Sequence, residues 1–227
     1  MFGAESRVLY YEPFDYGLQA PIPAAVKTMA VASSMGMTIP VFIVLLNIWL
    51  TARGRGGALL RDPAGRFVIT GSFWYLLTCI QGPLQSLPSV QRVVHFNNWT
   101  IGHSHIAVLG FAGFIALGTV WHVLPLITGR RLFSDKLVNL QFGLAMFGLS
   151  GFFVVLTAAG LVQGSSWNNG ETVYRVLSML PPYMWLRLAS GLFIIAGAFV
   201  GLFNLAMTIW KGEPYAAPEF IEEAHTG

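Results

Sequence analysis

Two histidines, His103 and His105, stand two residues apart in Trp99-Thr100-Ile101-Gly102-His103-Ser104-His105, near the start of a long apolar stretch. Ionisable side chains are costly inside a bilayer and rarely lie there without a partner, so a pair within three residues asks for a chemical reason. On an α-helix, residues i and i+2 project roughly 200° apart, so the two imidazoles leave opposite faces and do not share one small metal ion. They are placed instead to ligate two flat iron macrocycles, one on either side of the helix, through neutral imidazole nitrogens. The plainer alternative is a pair of polar side chains hydrogen-bonded to neighbouring helices. Gly102, Gly110, Gly113 and Gly118 remove bulk along the same stretch, which lets macrocycles or helices come close.

The other histidines carry weaker signals. His95, followed by Phe96-Asn97-Asn98-Trp99, lies just ahead of the apolar stretch, where it is either simply interfacial or placed to bond a haem propionate or a bound cation. His122 lies some 25 Å further along the helix, at about 1.5 Å per residue, too far to serve the same haem as His105, and reads as a packing or helix-end hydrogen-bonding residue. His225, near the end of the chain, has no assigned role. The single cysteine, Cys79, falls in an apolar segment and reads as a small buried packing residue, so there is no disulfide framework and no thiolate metal site.

The elements that must position these side chains are legible from hydropathy. Of 227 residues, 55% are hydrophobic and 10% charged, with a mean hydropathy of +0.62, which describes an all-α integral membrane protein. Five stretches, 26–51, 67–87, 99–127, 137–162 and 182–210, are long enough to span. The chain therefore divides into an aromatic and proline-rich interfacial segment at 1–25, a five-helix transmembrane domain at 26–210, and an acidic cytoplasmic tail at 211–227 with Glu213, Glu219, Glu222 and Glu223. The stretch from Met1 has neither a basic leader nor a small-residue cleavage site and does not read as a signal peptide.

Basic residues set the orientation. Arg53, Arg55, Arg61 and Arg66 lie between the first two stretches, Arg130, Arg131 and Lys136 between the third and fourth, and Lys211 after the fifth, whereas the remaining connections hold only Arg92 and Arg175. The positive-inside rule then puts the N-terminus outside and the C-terminus inside. The formal net charge of +3 is absorbed by this topology, and no basic patch suggests nucleic acid. Pro40 should kink the first span, and Pro83 and Pro88 should bend or end the second. The short connection Gly129–Lys136 makes the third and fourth spans antiparallel neighbours. The longer one, Gly164 to Pro181, reads as an external turn with an interfacial Trp167. Gln81, Gln85 and Gln141 are too few to line a channel, and no inverted repeat marks a transporter.

The run His95-Phe96-Asn97-Asn98-Trp99-Thr100-Ile101-Gly102-His103-Ser104-His105, continuing through Leu109-Gly110-Phe111, resembles the tenth helix of subunit I of the haem–copper oxidase superfamily. It is most similar to the C-family, cytochrome cbb-type oxidases, where the pattern is His-Tyr-Thr-Asp-Trp-Thr-Ile-Gly-His-x-His, with nitric oxide reductases second. Asp62-Pro63 through Arg66-Phe67 and Gly82-Pro83 resemble the ninth helix. Trp121-His122-Val123-Leu124-Pro125 resembles the family's Tyr-His-Leu-Ile-Pro, and Gln163-Gly164, Pro182-Tyr183 and Arg187 resemble the end of helix eleven and the start of twelve. The chain thus looks like helices eight to twelve, the C-terminal half of a twelve-helix subunit.

The resemblance implies that His103 is the axial ligand of a high-spin, substrate-reducing b-type haem, and so the catalytic residue. It makes His105 one of two ligands of a low-spin haem and puts His95 near the propionates. The second low-spin ligand belongs to a helix this chain does not contain, so a second membrane chain is implied as the source of the missing N-terminal helices and that ligand. A periplasmic cytochrome is implied as electron donor, and the bacterial inner membrane as location. The departures concern the distal copper or iron. Where Pro-His-His is expected the sequence has Pro13-Phe14-Asp15, where Glu is expected it has Gln81, and Asn98 replaces an aspartate. Either another chain completes the distal metal site of an oxygen- or nitric oxide-reducing complex, or this chain is a non-catalytic haem electron-transfer or assembly subunit that has lost it.

Overall fold

Backbone amides in hydrocarbon have no water to bond, so a lipid-embedded chain satisfies them within helices. Among the described residues five helices are long and apolar enough to cross a membrane: Ala25–Ala52, Pro63–Ser86, Asn98–Thr128, Asp135–Asn168 and Pro181–Lys211, the first to fifth spans. The computed structural model describes residues 23–214. Most of the 1–25 segment and of the 211–227 tail, with Pro13-Phe14-Asp15, Glu219, Glu222, Glu223 and His225, therefore lies outside the described residues.

Local chemistry sets the helix ends. Asp62 Oδ2 accepts from Gly65 N at 2.6 Å with Pro63 at the first helical position, which starts the second span four residues before the hydropathy does. Asn97 accepts from Trp99 N at 2.9 Å to start the third, and Ser134 accepts from Leu137 N to start the fourth. Pro40 interrupts the first span as expected, but at Met37, between Ala24–Gly36 and Thr38–Ala52. The proline ring crowds the carbonyl four residues back, that of Gly36, and gives it no donor. Pro83 stays within the second helix, and Pro88 ends it by holding Leu87 extended and opening the short helix Pro88–Val94.

One expectation fails at the fourth connection. The fourth span runs to Asn168, so Gly164 and Trp167 lie in its last turns rather than in a turn outside it. A Cβ on Gly164 would run into the Val93 carbonyl, so this glycine is a helix contact. The third span also departs from a plain α-helix: Asn98–His105 is α-helical, Ile106–Gly113 is π-helical, and Phe114–Thr128 is α-helical again.

Each span packs against the next in sequence, so the third lies between the second and the fourth and the fifth lies along the fourth. Phe67, Phe114 and Phe142 bring the second, third and fourth spans together, with ring centroids 5.1 to 5.9 Å apart. Glycine allows the close approaches. Gly110 faces Trp74 and Leu149, Gly118 faces Val68 and the Ala64 carbonyl, and Gly102 faces Leu156. Three of the four glycines that could have served a macrocycle therefore serve helix packing, while Gly113 meets only its own helix.

Polar groups buried in the bundle are largely paired across it. Trp121 Nε1 donates to Gln141 Oε1 at 3.0 Å, so Gln141 belongs to a packing contact rather than a pathway. Asn204 Nδ2 donates to the Ser134 carbonyl at 3.1 Å, and Phe133 N donates to Thr208 Oγ1 at 3.0 Å. Arg130 Nη1 reaches the Gly212 carbonyl at 3.1 Å, so the third connection is clasped to the end of the fifth span. Cys79 is a half-buried free thiol, less enclosed than the sequence suggests.

The glycine contacts separate by substitution. A Cβ on Gly160 would overlap the backbone of Trp99, whereas Gly143 has nothing within 4 Å. Gly160→Ala should destabilise by about 1–3 kcal/mol through overpacking. Gly143→Ala should be neutral or stabilising by up to about 1 kcal/mol through helix propensity. Thermal unfolding in detergent of the two variants side by side checks both.

Candidate functional site

The N-terminal end of the third span is fixed before any candidate functional side chain leaves it. Asn97 bonds back to the Val93 carbonyl as well as forward to Trp99 N. Buried Asn98 is held by Gln163 Oε1 of the fourth span, through its backbone N at 3.0 Å and its side-chain amide at 2.6 Å. Trp99 sits against Gly160 and stacks on His103, with rings 5.7 Å apart and 6° from parallel. The helix start is thus locked to the fourth span, and its first aromatic side chain orients the first imidazole.

His103 and His105 then leave toward different neighbours. His103 faces the second span, where its Nδ1 lies 3.2 Å from Gln81 Oε1 and its ring edge lies beside Gly82. His105 faces the fourth span, its ring 4.6 Å from that of Phe152, and its Nδ1 lies 2.7 Å from the Ile101 carbonyl one turn back. Arg187 of the fifth span stands over the same Phe152 ring, 5.6 Å from its centre. The expected divergence of the two side chains is present, and both remain half-buried.

The hydrogen bonds decide which nitrogen of each ring is free. A carbonyl oxygen only accepts, so the Nδ1 of His103 and the Nδ1 of His105 each carry the proton and donate it. Nε2 then holds the lone pair on both rings. This is the arrangement in which metal-ligating histidines are found, with the second ring N–H given to a carbonyl. The donor set therefore fits two axial haem ligations through Nε2, on separate faces. Sequence reasoning found both histidines but not Gln81 as the orienting acceptor. It noted Gln81 as a missing carboxylate and as one of three glutamines too few to line a channel, because nothing local shows that residues 81 and 103 face each other.

His95 is wired the other way. It ends the short helix Pro88–Val94, outside the spans, and its Nδ1 lies 2.8 Å from Gln91 Nε2, an amide that donates. The proton of its neutral ring is therefore on Nε2. Burial pushes its pKa below the ordinary imidazole value, which keeps it neutral near pH 7 and leaves an N–H suited to a carboxylate rather than to a cation. His122 does not match its expected packing role: it is exposed, one residue from the buried Trp121. Among the described residues no three His, Cys, Asp or Glu side chains converge as a metal site.

Five apolar spans, the third carrying divergent imidazoles, define an all-helical multi-pass membrane protein. The chain belongs to the family described as cytochrome C and quinol oxidase polypeptide I, whose sequence model matches residues 18–193. It is 31% identical over 196 residues to the cytochrome c oxidase subunit 1 homolog of Agrobacterium tumefaciens (strain T37), covering 83% of this chain and 36% of that protein. Over 197 residues it is 27% identical to the cbb3-type cytochrome c oxidase subunit CcoN1 of Stutzerimonas stutzeri, covering 81% and 42% respectively. Over 199 residues it is 27% identical to cytochrome c oxidase subunit 1 of Rhodobacter capsulatus, covering 84% and 37%. The chain thus spans roughly two-fifths of the length of these relatives or less.

Nitrogen NMR of labelled histidine reads these tautomers directly. Near neutral pH, in the haem-free protein, His95 should be protonated on Nε2, and His103 and His105 on Nδ1. His95 should titrate below pH 6.5, the ordinary value. Its folded pKa is the lower one, so its contribution to stability is present above the ordinary value and fades as the pH falls through it. A matching tautomer on all three rings would contradict this assignment.

Proposed function

We propose that this chain is a haem-bearing part of the membrane subunit of a respiratory complex that reduces oxygen or nitric oxide, related most nearly to cbb-type oxidases. The observation that carries the reading is the pair of Nδ1–H donations at His103 and His105, which leave two Nε2 lone pairs on separate faces of one helix. Membership of a family whose members normally carry haems and copper supports it. So does the retention of both histidines in the motif that resembles the C-family pattern.

In this reading His103 would hold the high-spin haem and be the catalytic residue, and His105 would be one of the two protein ligands of the low-spin haem. Bound there, b-type haems would supply an electron relay and the iron at which the gas is reduced. The protein's own part is orientation. Trp99 and Gln81 hold the His103 ring, Ile101 and Phe152 hold that of His105, and His95 offers its Nε2–H to a propionate. A second membrane chain supplies the remaining helices and the other low-spin ligand, a periplasmic cytochrome delivers electrons, and the N-terminus lies on the outer side of the bacterial inner membrane.

The second reading, a haem electron-transfer or assembly subunit without a distal metal, is favoured by Gln81, which holds no ionisable proton where the resembling family has a carboxylate. Metal analysis of the purified complex separates the two. A non-haem copper or iron alongside two haems supports the catalytic reading, and haem alone supports the carrier.

In the assembled complex, His103→Ala should abolish the high-spin optical signal and leave the low-spin bands, and His105→Ala should do the reverse. Wild-type spectra from both variants would refute ligation. Gln81→Leu should weaken haem retention at His103 by about 10- to 100-fold, the usual effect of losing an orienting acceptor. Gln81→Glu should restore retention, and ligand titrations on the reduced protein read the difference.

A further inference from the structure

Threonine hydroxyls in membrane helices commonly bond the carbonyl one turn back. Thr51, Thr119, Thr128 and Thr208 do so here, at 2.7 to 2.9 Å. Thr78 and Thr157 do not: both hydroxyl oxygens are buried and have no hydrogen-bond partner among the described residues. The indole N–H of Trp74 is in the same condition, on a side chain only 7% exposed.

All three belong to the second and fourth spans, near a point where these meet. The rings of Trp74 and Phe153 meet edge to face at 6.2 Å, which joins the second and fourth spans at one depth. Alternate spans run in the same direction, so Thr78 and Thr157, each four residues on, lie at a similar depth about 6 Å further along. The third span closes the junction, with Gly110 against Trp74 and Gly102 beside the Thr157 backbone. Gln81, the acceptor for His103, follows Thr78 by three residues on the same helix.

Buried polar groups are costly unless paired, and a water needs two to four polar partners to be held. We propose that Trp74 Nε1, Thr78 Oγ1 and Thr157 Oγ1 form an internal hydration site at the junction of the second, third and fourth spans, one turn from the Gln81–His103 hydrogen bond. An indole donor and two hydroxyls that both donate and accept suit one or two waters and no larger ligand. Such water gives mobile protons a foothold beside His103 that does not pass through the amide at position 81. The site does not depend on haem being bound.

Valine preserves the shape of threonine and removes its hydroxyl. In the assembled complex, Thr78→Val and Thr157→Val should each lower the thermal midpoint by about 2–4 °C. The double variant should lower it by less than the sum, because the shared water is lost once. Thr→Ser at either position should leave it unchanged. Dry, unpaired hydroxyls predict the opposite, a midpoint that rises with valine, and that result, no change, or full additivity overturns the proposal. The wild-type complex gives a second reading that needs no variant. Hydroxyl radicals generated by X-ray radiolysis in ¹⁸O-labelled water should label Trp74 despite its burial, and an unlabelled Trp74 would equally overturn it.

Discussion

A buried imidazole has one proton to place, and its surroundings choose the nitrogen that carries it. In the third span the choice is made by two carbonyl oxygens of different origin: the Gln81 side chain, from a neighbouring helix, and the Ile101 backbone, from one turn back in the same helix. His105 therefore depends only on local helix geometry, whereas His103 depends on how the second span is packed. Anything that shifts Pro63–Ser86 relative to Asn98–His105 changes the first histidine and leaves the second.

The packing resists such a shift. The third span is pinned at its N-terminal end by Asn98 against Gln163 and by Trp99 against Gly160, and further along by Gly110 and Gly118 against the second span. Dispersion and polar pairing, rather than exclusion of apolar surface from water, hold helices together in lipid, so backbone approach at glycine carries much of the specificity. The same logic accounts for the polar clasp at the other end, where Asn204 and Thr208 receive the backbone of the third connection.

The number of spans, their order and the divergence of His103 from His105 were all readable from the sequence, because hydropathy and helical periodicity depend on composition along one helix. What was not readable depends on facing between helices. Gln81 as a partner of His103, Phe152 as the neighbour of His105, and the tautomer of His95 set by Gln91 each need a relative position or side-chain geometry. The length of the fourth span was missed for a related reason: Gly164 and Trp167 carry loop-like composition, and only the Val93 backbone shows why a glycine is required inside a helix there. The exposure of His122, which bears against its packing role but not against a helix-end hydrogen bond, was not readable because distance along the helix does not fix which side of it meets a neighbouring span.

The π-helical stretch Ile106–Gly113 separates the histidine-bearing turns from Phe114–Thr128. An α-helix turns by about 100° per residue, so a widened stretch resets the phase between the two segments it joins. It works as a swivel: the N-terminal segment sets the directions of His103 and His105 while the C-terminal one independently matches Trp121 and Gly118 to their neighbours. Removing one residue from the swivel would leave a regular, fully bonded helix in which those two alignments could no longer hold together.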